Sequence, residues 1–266
     1  MIKHRIALCV LTAALVAPLA HAHETWLVPS STVLSSNGYV TVDAAVSNQV
    51  FHFNYRPLSV GQSLSILAAD GSAVQAENLV QGQLRSVFDV KLDAPGTYRI
   101  AVANAAVMAS WKENGQPKRI RGTAAEIAKK VPPGATDLVL REVATRIETF
   151  VTVGSPTELK PVGEGLEMVP VTHPNDLYAG EEVSFAFHAN GQAAKQLKVA
   201  IVEGGTRYRD RLDKVELLTD EQGRIRHVFA RPGLYYLNAV MTGKSPINPD
   251  MERRLSYTAT LEVLPQ

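Results

Sequence analysis

Two matching stretches decide the fold of this chain: QGQLRSVF at residues 81–88 and QGRIRHVF at residues 222–229. Each leads into a Pro-Gly turn that ends on tyrosine, PGTY at residues 95–98 and PGLY at residues 232–235. A strand, a Pro-Gly corner and a second strand whose tyrosine hydroxyl bonds back across the corner are typical of immunoglobulin-like sandwiches. The repeat therefore predicts two sandwich modules that share one plan.

Alternation of apolar and polar residues extends this pattern in both directions from the repeat. It predicts strands at residues 39–46, 63–67, 85–92, 98–103, 183–188, 197–202, 225–230, 235–240 and 257–263. The turn-forming residues 154–156 read Gly-Ser-Pro and predict a boundary. We therefore expect an N-terminal β-sandwich domain at residues 23–155 and a C-terminal immunoglobulin-like β-sandwich domain at residues 156–266.

One helix is predicted as a short excursion within the first domain. Thr123 and Glu126 form a capping box ahead of residues 127–131, and Pro132 ends the helical pattern. The predicted fold class is all-β, with two tandem immunoglobulin-like β-sandwich domains and one short helix.

The first 22 residues have the features of a secretory signal peptide. Basic residues precede an apolar run at residues 6–16, which is too short to span about 30 Å of hydrocarbon as a helix. Residues 20–22 read Ala-His-Ala, the small-x-small cleavage pattern, so we predict cleavage after Ala22. The expected product is exported to the periplasm and does not span the membrane after cleavage.

Composition narrows the classes of partner that the exported product could bind. Removing Lys3 and Arg5 from the 27 Lys and Arg of the chain leaves 25, against 26 Asp and Glu. Proteins that bind nucleic acid usually have a clearly basic domain, so no nucleic-acid partner is expected. The only cysteine, Cys9, leaves with the signal peptide, which excludes a disulfide framework.

Cleavage at the predicted site places His23 first in the mature chain, with an amine and an imidazole on one residue. Nitrogen donors of this type favour copper or nickel in tetragonal geometry, so His23 is the first predicted ligand of a divalent transition metal. A third nitrogen would complete a histidine brace. His52, among aromatic residues just after a strand, is the first choice, and His188 at a strand end is another. Glu24 is a further candidate donor, although strand alternation points it to the opposite face.

The chain contains sequence segments typical of a known family: HETWLVP at residues 23–29, LYAGEEV at 177–183, RPGLY at 231–235 and SYTATLEV at 256–263. Together they resemble the DUF4198 family, exported proteins associated with nickel uptake. The resemblance implies tandem immunoglobulin-like sandwiches and a role in transition-metal handling. Family members often have a histidine in the strand after the PGLY turn, whereas that strand reads LNAVM here.

These observations leave three hypotheses open. The first is a non-enzymatic metal-binding accessory of transport, which captures copper or nickel at His23 for delivery to or from a membrane transporter component. The second is a metal-free module that binds a ligand or a protein through its loops or sheet edges. The third is a copper histidine-brace oxidoreductase. His173, in a loop, and His227, in the repeated strand, are also open as ligands, and each has a simple explanation as a packed or surface residue.

Overall fold

The computed structural model describes residues 23–246 and 248–266, so the predicted signal peptide lies outside the described residues. Single 3-10 turns lie at Gly61–Ser63 and Thr206–Tyr208. The first half of the described chain contains β1 (Glu24–Pro29), β2 (Val33–Leu34), β3 (Gly38–Ser47), β4 (Arg56–Pro57), β5 (Leu64–Leu67), β6 (Ala76–Gln81), β7 (Ser86–Leu92), β8 (Gly96–Glu113), β9 (Gln116–Gly122), α1 (Ala124–Lys130) and β10 (Thr136–Val153). The second half contains β11 (Leu166–Pro170), β12 (Glu182–Ala189), β13 (Gln192–Ala193), β14 (Lys198–Glu203), β15 (Val215–Leu218), β16 (Arg224–Val228), β17 (Gly233–Lys244) and β18 (Glu252–Val263).

The described strands form three sheets, one of which runs through both halves of the chain. The first sheet has the order β1-β3-β7-β6, with β4 on β3. The central sheet has nine strands in the order β15-β14-β17-β18-β10-β8-β5, with β2 on β10 and β9 on β8. The third sheet has the order β11-β12-β13, with β16 on β12. The halves of the central sheet are joined by β10 and β18, which pair in parallel.

The two sandwiches lie on opposite faces of this central sheet. Val151 of β10 belongs to a core that includes Val42 and Phe88 of the first sheet. Its neighbour Phe150 belongs to a second core that includes Phe185 of the third sheet. Successive side chains of a strand point to opposite faces, so the first and third sheets cover opposite sides of β10. The prediction of two immunoglobulin-like β-sandwiches is confirmed, with the added feature that they share a sheet. The boundary after residue 155 stays a prediction.

Both Pro-Gly corners close as the repeat suggests. The hydroxyl of Tyr98 donates to the Ala94 carbonyl at 3.0 Å and accepts from the Ala94 amide at 2.9 Å. The hydroxyl of Tyr235 donates to the Arg231 carbonyl at 2.8 Å. Each tyrosine thus fixes the turn four residues before it, in equivalent places of the two sandwiches.

The short helix also forms where the capping box predicts it. The Thr123 hydroxyl accepts from the Glu126 amide, and the Glu126 carboxylate accepts from the Thr123 amide at 2.8 Å. Ile127 packs with Val107, Trp111 and other residues of a small separate core near the far end of β8. This helix covers one face of the central sheet beyond both sandwiches. No helix in the described part of the chain is long and apolar enough to cross a membrane.

Candidate functional site

The strand that follows His23 is held firmly in the first sandwich. β1 pairs with β3 from Glu24 opposite Ser47 to Pro29 opposite Val42. Trp26 is fully buried, and its indole Nε1 donates to the Ser47 hydroxyl at 3.0 Å. The mature chain therefore becomes rigid within a few residues of its predicted first residue.

An aromatic cluster from a neighbouring loop locks this strand in place. The rings of Phe51 and Phe53 meet Trp26 edge to face, with centroids 5.7 Å and 5.1 Å away. Phe51 also contacts the ring of Tyr236 from the second sandwich. Phe51 adopts a φ of 60°, in the left-handed region that few bulky residues occupy, so packing of its ring must hold the turn. The loop at residues 51–55 is thereby fixed beside the start of β1.

Glu24 is turned toward the second sandwich. Its Oε2 accepts a hydrogen bond of 2.5 Å from the Tyr236 hydroxyl. Burial raises the pKa of Tyr236 well above its usual value, and the nearby Glu24 carboxylate adds to this effect. The phenol therefore stays protonated and keeps donating. The structure places Glu24 as an anchor between the sandwiches, on the face that alternation predicts.

His23 itself is exposed and rests on a tyrosine. Its imidazole stacks on the ring of Tyr55, with centroids 4.0 Å apart and planes at 18°. Stacking uses the faces of the imidazole, so the ring edge that carries both nitrogens stays open to a ligand. The sequence shows the aromatic run at residues 51–55, but nothing in it identifies Tyr55 as the partner of His23.

His52 lies in the same loop, but its imidazole bonds elsewhere. Its Nε2 is 3.2 Å from the hydroxyl of Thr206, which belongs to the second half of the chain. Burial lowers the pKa of His52, and the charge of nearby Arg207 lowers it further. The ring is therefore neutral at physiological pH, the state that binds metals. To reach an ion at His23 it would have to release Thr206.

The remaining histidines are placed in other parts of the fold. His188 lies on β12 in the third sheet, opposite Glu167 and Ala193. His227 lies on β16, half-buried against the ring of Phe229 at 4.8 Å. The structure brings neither of them into the sheet that contains β1.

His173 has a structural role at the junction of the sandwiches. Its Nδ1 accepts from the Asn175 amide at 3.1 Å, so that nitrogen carries no proton. The protonated Nε2 can then donate to the Thr97 hydroxyl at 3.0 Å. Burial lowers the pKa of His173, which keeps this neutral tautomer. Both ring nitrogens are therefore occupied by hydrogen bonds.

No three side chains of His, Cys, Asp or Glu converge to hold a metal ion within residues 23–246 and 248–266. The structure has an exposed imidazole at His23, with His52 in the adjoining loop.

A buried charge cluster at the junction was not among the predicted features. Glu148 is 1% exposed; its Oε1 accepts from Arg146 at 3.0 Å and its Oε2 from the Tyr257 hydroxyl at 2.9 Å. Arg99 lies 3.8 Å from the same carboxylate. The only signal in the sequence is that Arg99, Arg146 and Glu148 are charged residues at strand positions where alternation predicts side chains that face a core. The cluster spans β8, β10 and β18, the adjacent strands of the central sheet where the sandwiches join.

Comparisons with known proteins identify the family and no established function. No curated protein matches the chain. Among solved structures it is similar to the D0-D1 domain of intimin, at 10% identity over 87% of this chain and 96% of that chain, with a TM-score of 0.22. It is also similar to the adhesin InvE of Yersinia pseudotuberculosis, at 10% identity. That match covers 91% of this chain and 61% of the adhesin chain, with a TM-score of 0.23. Scores this low carry no argument about function. The family model DUF4198, a domain of unknown function, matches residues 20–243, and the chain belongs to this family.

Proposed function

We propose that the exported chain is a metal-binding accessory of transport, and not an enzyme, that captures a divalent copper or nickel ion at His23 in the periplasm. The observation that carries the proposal is the exposed imidazole of His23 stacked on Tyr55, at the head of a strand held by Trp26. A metal site needs donors on a stable support, and this arrangement provides one. The captured ion would pass to or from a membrane transporter component.

The expected donors are the amine and the imidazole of His23. An α-amino group titrates near 8, so only a minor share is unprotonated at neutral pH, and a bound metal increases that share by displacing the proton. Two neutral nitrogens favour copper or nickel over hard cations. His52 is the proposed third donor because it is neutral and lies only three positions before Tyr55.

The test compares the mature protein with a variant that has one alanine added before His23. The added residue keeps the imidazole but moves the free amine away from it. Intact mass first establishes the N-terminus of the protein purified from the periplasm. Titration with Cu(II) and Ni(II) then gives affinities, and paramagnetic resonance counts the nitrogens on copper.

The native N-terminus should bind at least roughly tenfold more tightly than the extended variant, as for loss of one ordered contact at a metal site. His23→Ala should lose the site, and His188→Ala is the matched control that should keep it. His52→Ala should remove one nitrogen from the copper signal. Equal affinities for the native and extended proteins would refute the proposal.

A further inference from the structure

The far end of the central sheet has one face that no other layer covers in the described part of the chain. Ile100 and Val102 of β8 point into the first core. The two-residue period of a strand places Met108 and Ser110 on this same face, beyond the first sandwich. The opposite face carries Ala109, which packs in the small core beneath α1. We name the uncovered side the distal face.

Cations dominate the distal face. Strand pairing places one row of residues across five strands: Arg121, Met108, Arg141, Glu252 and Lys244. The two-residue period adds Arg119 on β9 and Arg254 on β18 to the neighbouring rows. The same period adds Lys112 on β8, which pairs with Asp137 at 2.8 Å. The distal face thus contains six cations, two of which pair with the carboxylates of Glu252 and Asp137.

Half of these positive charges have no carboxylate beside them in the described part of the chain. Arg141 pairs with Glu252 at 2.5 Å. Arg119, Arg121 and Arg254 have no carboxylate within 4.0 Å among the described residues. Free guanidinium groups on an exposed sheet attract an anionic partner, since nothing in the fold itself satisfies them.

The charge is also distributed unevenly along the molecule. Residues 104–145 and 241–254 together contain ten Lys and Arg against six Asp and Glu. The whole chain from residue 23 has a slight acidic excess, so the remainder is clearly acidic. In the electric field of a negatively charged surface, such asymmetry turns the protein so that the distal face points toward that surface.

We propose that the distal face docks on the headgroups of an anionic phospholipid bilayer. A guanidinium matches a phosphate with paired hydrogen bonds, and four of the six cations are arginines. The face is about 20 Å wide, from five strands spaced about 4.8 Å apart. Arg141, Lys244 and Arg254 line an open hollow on its β17 and β18 side. Nucleic acid offers the same phosphates, but the near-neutral mature chain lacks the basic balance that nucleic-acid binding usually requires.

Docking through this face would also bring the start of the mature chain toward the membrane. Tyr236, which binds Glu24, lies on the same side of the central sheet as the distal face, because its neighbour Leu237 points into the second core. Its partner on β18 is Thr260, about 20 Å along the strand from Arg254. The docking proposal does not depend on metal binding at His23.

The experiment measures flotation of the metal-free mature protein with vesicles. Phosphatidylglycerol-rich vesicles are compared with vesicles of phosphatidylcholine alone, at low salt and at about 1 M salt, where the Debye length is about 3 Å. The test variant is Arg119→Gln, Arg121→Gln and Arg254→Gln combined. The matched control combines Lys118→Gln, Lys129→Gln and Lys130→Gln, which removes the same charge from the helix side of this end.

We expect binding to the anionic vesicles only, lost at high salt. Each arginine should contribute about fivefold, so the test variant should partition about 100-fold more weakly. The control should lose much less, and unchanged melting temperatures would show that all variants fold. The proposal is overturned if the wild type does not prefer anionic vesicles, or if the control loses as much as the test variant. It is also overturned if duplex DNA binds as tightly, or if the face proves to be a self-association interface in sedimentation.

Discussion

Replacing Glu148 by glutamine tests whether the buried charge cluster holds the two sandwiches together. The carboxylate bonds to Arg146 and to the Tyr257 hydroxyl, and Arg99 lies 3.8 Å away. Arg99 also has no hydrogen-bond acceptor for its Nε within the described residues. Glu148→Gln keeps the shape of the side chain and removes the single negative charge among two guanidinium groups.

The expected loss follows from burial. The side chains of Arg99 and Arg146 are 9% and 15% exposed, so little water replaces the lost carboxylate. Removing one partner of a buried ion pair costs about 3–5 kcal/mol. Glutamine still offers one acceptor oxygen, so we expect the lower end, about 3 kcal/mol. The control Glu252→Gln breaks an ion pair that is half exposed and should cost no more than about 1 kcal/mol.

Urea denaturation at neutral pH, followed by tryptophan fluorescence, gives the free energy of unfolding of each variant. A third variant combines Glu148→Leu with Arg146→Met. Its loss of unfolding free energy should be smaller than the sum of the losses of Glu148→Leu and Arg146→Met measured singly, because these two bonded charges are removed as a pair. If Glu148→Gln lowers the free energy of unfolding as little as Glu252→Gln does, the argument that this buried cluster stabilises the fold is refuted.

Two further predictions concern the turn and the histidine at the same junction. Gly96→Ala should lower the free energy of unfolding by about 2–3 kcal/mol, because Gly96 has a φ of 113° and a Cβ there would lie 2.5 Å from the Ala69 side chain. Gly134→Ala, in open space, should change it by no more than about 0.5 kcal/mol in the same urea titration. Burial lowers the pKa of His173, so its stabilising contribution is present above the ordinary value of 6.5 and is lost as the pH falls below it. The free energy of unfolding of His173→Gln should therefore fall less than that of the wild type between about pH 7 and about pH 5. An unchanged dependence of this free energy on pH would contradict the argument.

The sequence predicts the local parts of the fold well, because each depends on residues close in the chain. The capping box at Thr123 and the corner at Tyr98 are such local signals, and both form. The strand predicted at residues 98–103 is correct but far too short, since β8 continues to Glu113. Its distal part alternates poorly because Ala106 and Met108 on the outer face are as apolar as Val107 and Ala109 on the opposite face. β10, at residues 136–153, is missed because cores cover both of its faces near its end, which gives an apolar run in place of alternation.

The shared central sheet could not be predicted from local patterns. It depends on the parallel pairing of β10 with β18, in which Arg141 lies opposite Glu252, 111 positions later. Alternation fixes which way a side chain points in its own strand, but not which strand will lie beside it. A tandem arrangement and a shared sheet therefore give the same pattern in the sequence.

The candidate site also has parts that local sequence predicts and parts that depend on tertiary packing. The cleavage pattern predicts His23 as the first residue of the mature chain, whereas its stacking on Tyr55 depends on a loop about thirty residues away. The bond from His52 to Thr206 and the bond from Glu24 to Tyr236 both cross between the sandwiches. Residue type indicates which side chains could bind a metal, and only the packing shows what each one contacts.

The cross-sandwich contacts fix the position of the strand that follows His23. β1 pairs with β3 in the first sandwich, while Glu24 and Thr32 bond to Tyr236 and Glu262 in the second. The first strand therefore cannot shift without disturbing both sandwiches. A chelate at His23 would gain the fixed position that a site made of one terminal residue otherwise lacks. Since β1 and the distal face share one side of the central sheet, a molecule docked on a membrane as proposed would hold the proposed His23 site toward that membrane.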